Sequence, residues 1–190
     1  RRAVETRGLK LVCYTPEQCV YPVNLAAPSE AERRRSLKFF EDSLRIAADL
    51  GADKMLVTSG TGYYDGSDHD EAWNHAAENI AALGEMAQDY GIRLAFEVLR
   101  HDESNLVHNL ETLRKMLDQI NLPSVYGMVD TIPMALAGET PADYLNALGK
   151  RIIHFHFIDG APRGHLAWGD GVLDMKGYLT QLEEHDYEGY

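Results

Sequence analysis

Residues 93–99 read Arg93-Leu94-Ala95-Phe96-Glu97-Val98-Leu99. The run is strand-sized and, past Arg93 and with one carboxylate aside, apolar on both alternating faces. A strand with one wet face would alternate apolar and polar residues. This one does not, which is the pattern of a parallel strand covered on both sides. Similar runs, mostly rich in Val, Ile and Leu, lie at 9–14, 54–58, 125–130 and 152–158.

Helical patterns fill the intervals. Residues 31–50 place Leu37, Phe40, Leu44 and Ala47 three or four apart, with Ser29 and Glu32 as a capping box and Gly51 as the C-cap. Residues 70–90 repeat the pattern through Trp73, Ala76, Ile80, Leu83, Ala87 and Tyr90. Residues 110–120 do so through Leu110, Leu113, Leu117 and Ile120. Thr140-Pro141 reads as N-cap and first helical residue of a helix through Leu148, and 173–184 is a last pattern weakened by Gly177. Strands alternating with helices predict an α/β protein with a parallel sheet. No Gly-x-Gly-x-x-Gly follows the first run and no phosphate-loop lysine occurs, which disfavours an open nucleotide-binding sheet.

The chain has 190 residues, 45% hydrophobic and 25% charged, which suits a single globular domain and excludes disorder. Thirty acidic against eighteen basic residues give a net charge of −12, a field that repels phosphate backbones, so a nucleic acid partner is not expected. Arg33-Arg34-Arg35 falls inside a helical pattern and reads as a solvated face. Cys13 and Cys19 are too few for a disulfide scaffold and read as reduced thiols. No apolar run reaches the ~18 residues that span a bilayer, and the start lacks the apolar centre of a signal peptide. The expectation is a cytoplasmic protein with no membrane partner.

In parallel α/β folds chemistry gathers where strands end. Here Glu97 sits in one run, Asp130 ends the next, and His154 and His156 lie in the third, with Asp159 following. A carboxylate in an apolar strand is costly unless its charge is compensated. A divalent cation is the simplest compensation, since carboxylate oxygens and an imidazole nitrogen suit Mn²⁺, Mg²⁺, Co²⁺ or Zn²⁺. Each residue alone has a plainer use: an N-cap for Asp130, a hydrogen-bonded core residue for either histidine. His154 and His156 are two apart and point the same way, so alternation does not choose between them. His156 is nearer the carboxyl end.

At these residues the sequence resembles the sugar isomerase/epimerase superfamily with a xylose-isomerase-like (β/α)8 TIM barrel, above all its fructoselysine 3-epimerase and D-tagatose 3-epimerase-like members. Tyr14-Thr15-Pro16-Glu17, Tyr21-Pro22, Asn24 and the run Arg34-Arg35-Ser36-Leu37 are similar to the family's third-strand region. Glu97-Val98-Leu99 with Glu103-Ser104-Asn105 resembles its fifth strand and loop, and Met128-Val129-Asp130 its sixth strand. His154-Phe155-His156-Phe157-Ile158-Asp159 resembles the seventh, and Tyr187-Glu188-Gly189-Tyr190 the lead-in to the eighth. The resemblance implies that residues 1–190 are one partial barrel domain, strands three to seven, since a full barrel takes about 250 residues.

The resemblance also implies chemistry. The family's metal is held by Glu, Asp, His and a second Glu from strands five to eight. The first three correspond to Glu97, Asp130 and His156, with Mn²⁺ the expected ion, and the fourth has no counterpart before Tyr190. Glu97 would also be catalytic, exchanging a proton beside a ketone as an enediolate forms. Glu103 matches a position that binds substrate hydroxyls. His165 and Trp168, on the Gly-rich loop after the seventh strand, and Tyr14, after the first visible one, are the other expected substrate-binding residues. Tyr63 and Tyr64 could form a lid. Epimerases of free ketoses resemble one another in a His three residues after the sixth-strand Asp, where this chain has Pro133, which is compatible with an amine-linked ketose. The expected protein is a metal-dependent epimerase or isomerase of ketoses or ketose-amines, a homo-oligomer with a small-molecule sugar substrate. The alternatives are an endonuclease-like phosphodiesterase on the same barrel and a non-catalytic sugar-binding relative.

Overall fold

A computed structural model describes residues 1–17, 23–62 and 68–190. Cys19, Tyr21, Pro22, Tyr63 and Tyr64 therefore lie outside the described residues. The elements run α1 (Arg2–Glu5), α2 (Glu30–Leu50), β1 (Lys54–Val57), α3 (His69–Asp89), β2 (Arg93–Glu97), α4 (Leu110–Ile120), β3 (Val125–Asp130), α5 (Thr131–Leu136), α6 (Pro141–Leu148), β4 (Ile152–His156) and α7 (Met175–Glu184). The strands lie side by side in chain order, all parallel. Helices between successive strands are what a parallel sheet requires.

Both faces of the sheet bury apolar side chains. Met55, Val57, Leu94, Phe96, Val125 and Val129 point to the helices and pack with Phe40, Leu44, Ile80, Leu83, Leu113 and Met116 in one buried cluster. The opposite face carries a second, smaller buried cluster of Leu56, Ala95, Met128 and Ile153, flanked by Cys13 and Tyr126. That face bears the chemistry. Alternation places Ala95 and Glu97, then Met128 and Asp130 along it, and past the irregularity at Ile153 the β4 residues His154 and His156 pair with Met128 and Asp130, so the apolar cluster forms a floor beneath the strand ends.

Two sequence expectations need correction, and one helix was not foreseen. Residues 9–14 are not a strand: Tyr14 alone bridges to Met55, through Tyr14 N–H to Lys54 O and Leu56 N–H to Tyr14 O, both 2.9 Å. Leu9 is exposed and Pro16 has no N–H, so the segment has neither the burial nor the donor to extend a ladder. Ser29 precedes α2, but its side chain makes no capping bond; its carbonyl takes the N–H groups of Glu32 and Arg33 instead. Helix α5 was hidden by Pro133. Proline is tolerated there because it is the third residue of the helix, where its N–H would have no partner within the helix.

The remaining ends follow local chemistry. Gly51 closes α2 at φ 82°, a left-handed geometry that suits glycine. Asp68 caps α3 by accepting the N–H groups of Asp70 and Glu71. Asn109 and Thr112 cap α4 reciprocally. Arg34 and Arg35 are exposed on α2, while Arg33 donates to the carbonyls of Ala27 and Pro28. No helix among the described residues is long and apolar enough to cross a membrane.

Candidate metal centre

Glu97, Asp130 and His156 are the last residues of β2, β3 and β4. Register brings them together: Glu97 pairs with Met128, and Asp130 with His156. A shift in the β3–β4 ladder at Gly127 and Met128 sets which β4 residues reach the inner face. Each of the three offers one ligand atom, and these atoms all lie within 4.8 Å of one another. His156 Nδ1 stands 2.8 Å from Glu97 Oε1 and 3.8 Å from Asp130 Oδ2. Both carboxylates are buried, Glu97 at 7% and Asp130 at 5% exposure.

Asp130 serves the fold and the site at once. Its Oδ1 accepts the Ile132 N–H at 2.7 Å and so caps α5, while Oδ2 faces His156. The N-cap use and the ligand use are therefore compatible. The next residue, Thr131, ties the strand ends together: its Oγ1 accepts the Ile158 N–H at 2.9 Å and lies 3.2 Å from the His156 carbonyl.

Electrostatics separate the two histidines. Burial, then the charge of His156, push His154 down to about 4, which keeps it neutral. Its ring stands edge-on to His156, centroids 5.7 Å apart, one layer deeper in the sheet, and its Nδ1 is buried with no hydrogen-bond partner among the described residues. His156 is raised instead: burial opposes its charge, but the Glu97 hydrogen bond and the Glu97 and Asp130 charges outweigh it. Burial, with Glu97 adding, holds Asp130 up at about 6 despite the Ile132 N–H. A buried carboxyl held that high is short of positive charge.

A pocket of about 530 Å³ opens above these groups, its wall including Thr58, Arg100, Glu103, Ile132, Pro133 and His165. Glu103 is held by Arg100, through Nη2 at 2.8 Å and the backbone N–H at 3.1 Å. His165 Nε2 reaches to 3.6 Å from Asp130 Oδ2 and remains 65% exposed. The described lining does not include Tyr14 or Trp168. Tyr14 packs on the main core, while its neighbours Thr15, Pro16 and Glu17 do line the pocket. Trp168 stands at the surface, edge-on to Phe157 at 5.6 Å. Thr58, Arg100 and Thr131 were not singled out from the sequence. Thr58 ends one strand run and Arg100 directly follows another, which is the signal that could have found them.

The donor set fits a divalent cation: two buried carboxylate oxygens and one imidazole nitrogen, converging, with one carboxyl short of compensating charge.

The profile of the xylose isomerase-like TIM barrel family matches residues 1–190. Fructoselysine 3-epimerase of Escherichia coli O157:H7 is 29% identical over 189 residues, covering 98% of this chain and 68% of that protein. Two solved structures superpose closely. A 3-keto-D-glucoside 4-epimerase from E. coli has a TM-score of 0.85 at 19% identity, over all of this chain and 73% of its own. An L-ribulose 3-epimerase has a TM-score of 0.87 at 20% identity, over 99% of this chain and 62% of its own. At such identities the structural likeness bears on the fold alone.

Proposed function

Since the chain belongs to the xylose isomerase-like TIM barrel family, we propose that it is a divalent-metal-dependent sugar epimerase or isomerase, acting on ketoses or amine-linked ketoses such as fructoselysine. The observation that carries the reading is the convergence of Glu97, Asp130 and His156 at the ends of three adjacent parallel strands. The likeness to a fructoselysine 3-epimerase supports the substrate class. Residues 1–190 are read as one domain, which agrees with a single main core behind all four strands.

Glu97, Asp130 and His156 would hold the cation, Mn²⁺ first among the candidates. When bound it would supply positive charge that offsets the negative charge building beside a ketone as the adjacent C–H loses its proton. The chain's own groups do the rest. Glu97 lies at the pocket floor and is the residue placed to exchange that proton. Glu103 keeps acceptor capacity beyond its two bonds to Arg100, because each carboxylate oxygen can take more than one donor, so it can bind sugar hydroxyls. His165 can reach the substrate from the rim. Ile132 and Pro133 make one wall apolar, which suits a substituent lacking a hydroxyl at that point.

The test is solvent deuterium incorporation. With Mn²⁺ in D₂O, NMR should show exchange at C3 of fructoselysine or of a free ketose, and Glu97→Gln should reduce it by about 10²–10⁴-fold, the range of positioned acid–base groups. Undiminished exchange in that variant would overturn the assignment. Binding of a sugar with no exchange in the unsubstituted protein would favour the non-catalytic alternative.

A further inference from the structure

Asp159 is 1% exposed, and among the described residues its side-chain hydrogen bonds go to backbone N–H groups and not to a cationic side chain. Backbone donors take that place. Its Oδ1 accepts the N–H groups of Gly160 at 2.8 Å and Leu173 at 3.2 Å. Its Oδ2 accepts those of Gly169 at 2.9 Å and Gly171 at 3.1 Å. The Asp159 carbonyl takes the Leu166 N–H, and the Gly160 carbonyl takes that of Val172, both at 2.8 Å. One side chain thus gathers both ends of the 160–173 loop. Gly171 has no room for a side chain, since a Cβ there would stand 2.1 Å from Asp159 Oδ1.

The loop held in this way delivers groups to the pocket. Gly164 and His165 form part of its wall, with His165 Nε2 3.6 Å from Asp130. Arg163 donates to Asp102 at 2.9 Å, so the loops after β2 and β4 clasp each other across the mouth. The residue type matters. An ionised carboxylate only accepts, and each oxygen here takes two donors; an amide of the same shape would turn its NH₂ toward two N–H groups.

We propose that Asp159 is a positioning residue of the site: its buried carboxylate fixes the 160–173 loop, and through that loop sets His165 beside Asp130 and closes the sugar pocket. The effect on turnover rests on the epimerase reading; the effect on the loop does not. The experiment compares the unsubstituted chain with Asp159→Asn, His165→Ala and the double variant, all with Mn²⁺ present. In Asp159→Asn, amide hydrogen exchange at Gly169, Gly171 and Leu173 is expected to speed up at least about tenfold, with the strand amides unchanged. Sugar C3 exchange is expected to fall about tenfold while Mn²⁺ affinity stays within about threefold, and adding His165→Ala should cost little more, because both act through one loop. Unchanged protection of those three amides overturns the proposal, as do losses that multiply in the double variant. If Asp159→Asn does not fold, Gly171→Ala, which presses on the same carboxylate, is expected to give the same amide pattern, and normal protection there overturns it. A chain that exchanges no sugar proton sinks the epimerase reading and leaves the amide measurement to decide the loop.

Discussion

Asp130 divides its oxygens between the α5 cap and the candidate metal centre, and that division makes its titration informative. Burial, with Glu97 adding, raises it to about 6, above the ~3.9 of an unfolded aspartate. The sign follows from linkage. The metal-free fold holds this proton more tightly than the unfolded chain, so the group favours folding below ~3.9 and loses that contribution as pH rises through about 6. A cation needs the opposite, an ionised Asp130 and a deprotonated His156, whose own pKa is raised. Calorimetric titration should therefore find Mn²⁺ affinity falling as pH drops, by about tenfold or more per unit below about pH 6. Affinity independent of pH across that range would contradict the site. The three candidate ligands stood out in the sequence as polar residues in or at the end of successive apolar runs, but alternation left His154 and His156 equal, and it was the resemblance that singled out His156. Asp159 was visible as a residue but not as a hub, since its partners lie up to fourteen positions away on a loop without periodicity.

Helices and strands were read from periodicity, and it served best where packing alone decides. The patterns at 110–120 and 125–130 match α4 and β3 at both ends. It failed at residues 9–14, where an apolar composition meets the sheet at Tyr14 only, and at α5, whose proline hides a first turn. Caps were also missed: α3 begins behind Asp68, whose Oδ1 takes two N–H groups. Asp68→Ala should cost about 1 kcal/mol, which in a chain of this size lowers Tm by about 2–4 °C. Thermal unfolding by circular dichroism checks this, and an unchanged Tm would mean that the cap contributes nothing.

Across the molecule, the buried carboxyls of the candidate site are a stability liability that a bound cation would remove. Buried Glu97 and Asp130 lie close together, with His156 and, at the rim, His165 near. A ligand that binds only the folded chain stabilises it by RT ln(1 + [L]/Kd), about 2.7 kcal/mol at a hundred times Kd. Mn²⁺ at that excess should raise Tm by several degrees, EDTA should reverse the gain, and Asp130→Ala should abolish it; a Tm indifferent to both Mn²⁺ and EDTA would argue against a cation site. The whole-molecule charge of −12 also bears on the partner. It fits a small sugar better than a nucleic acid, against the endonuclease-like alternative.

The most direct measurement of the metal centre is anomalous diffraction from crystals soaked in Mn²⁺, recorded on either side of the manganese edge. The account predicts one strong peak among Glu97, Asp130 and His156, at about 2.0–2.3 Å from an atom of each. A peak elsewhere, or density there with the three side chains turned apart, would contradict it.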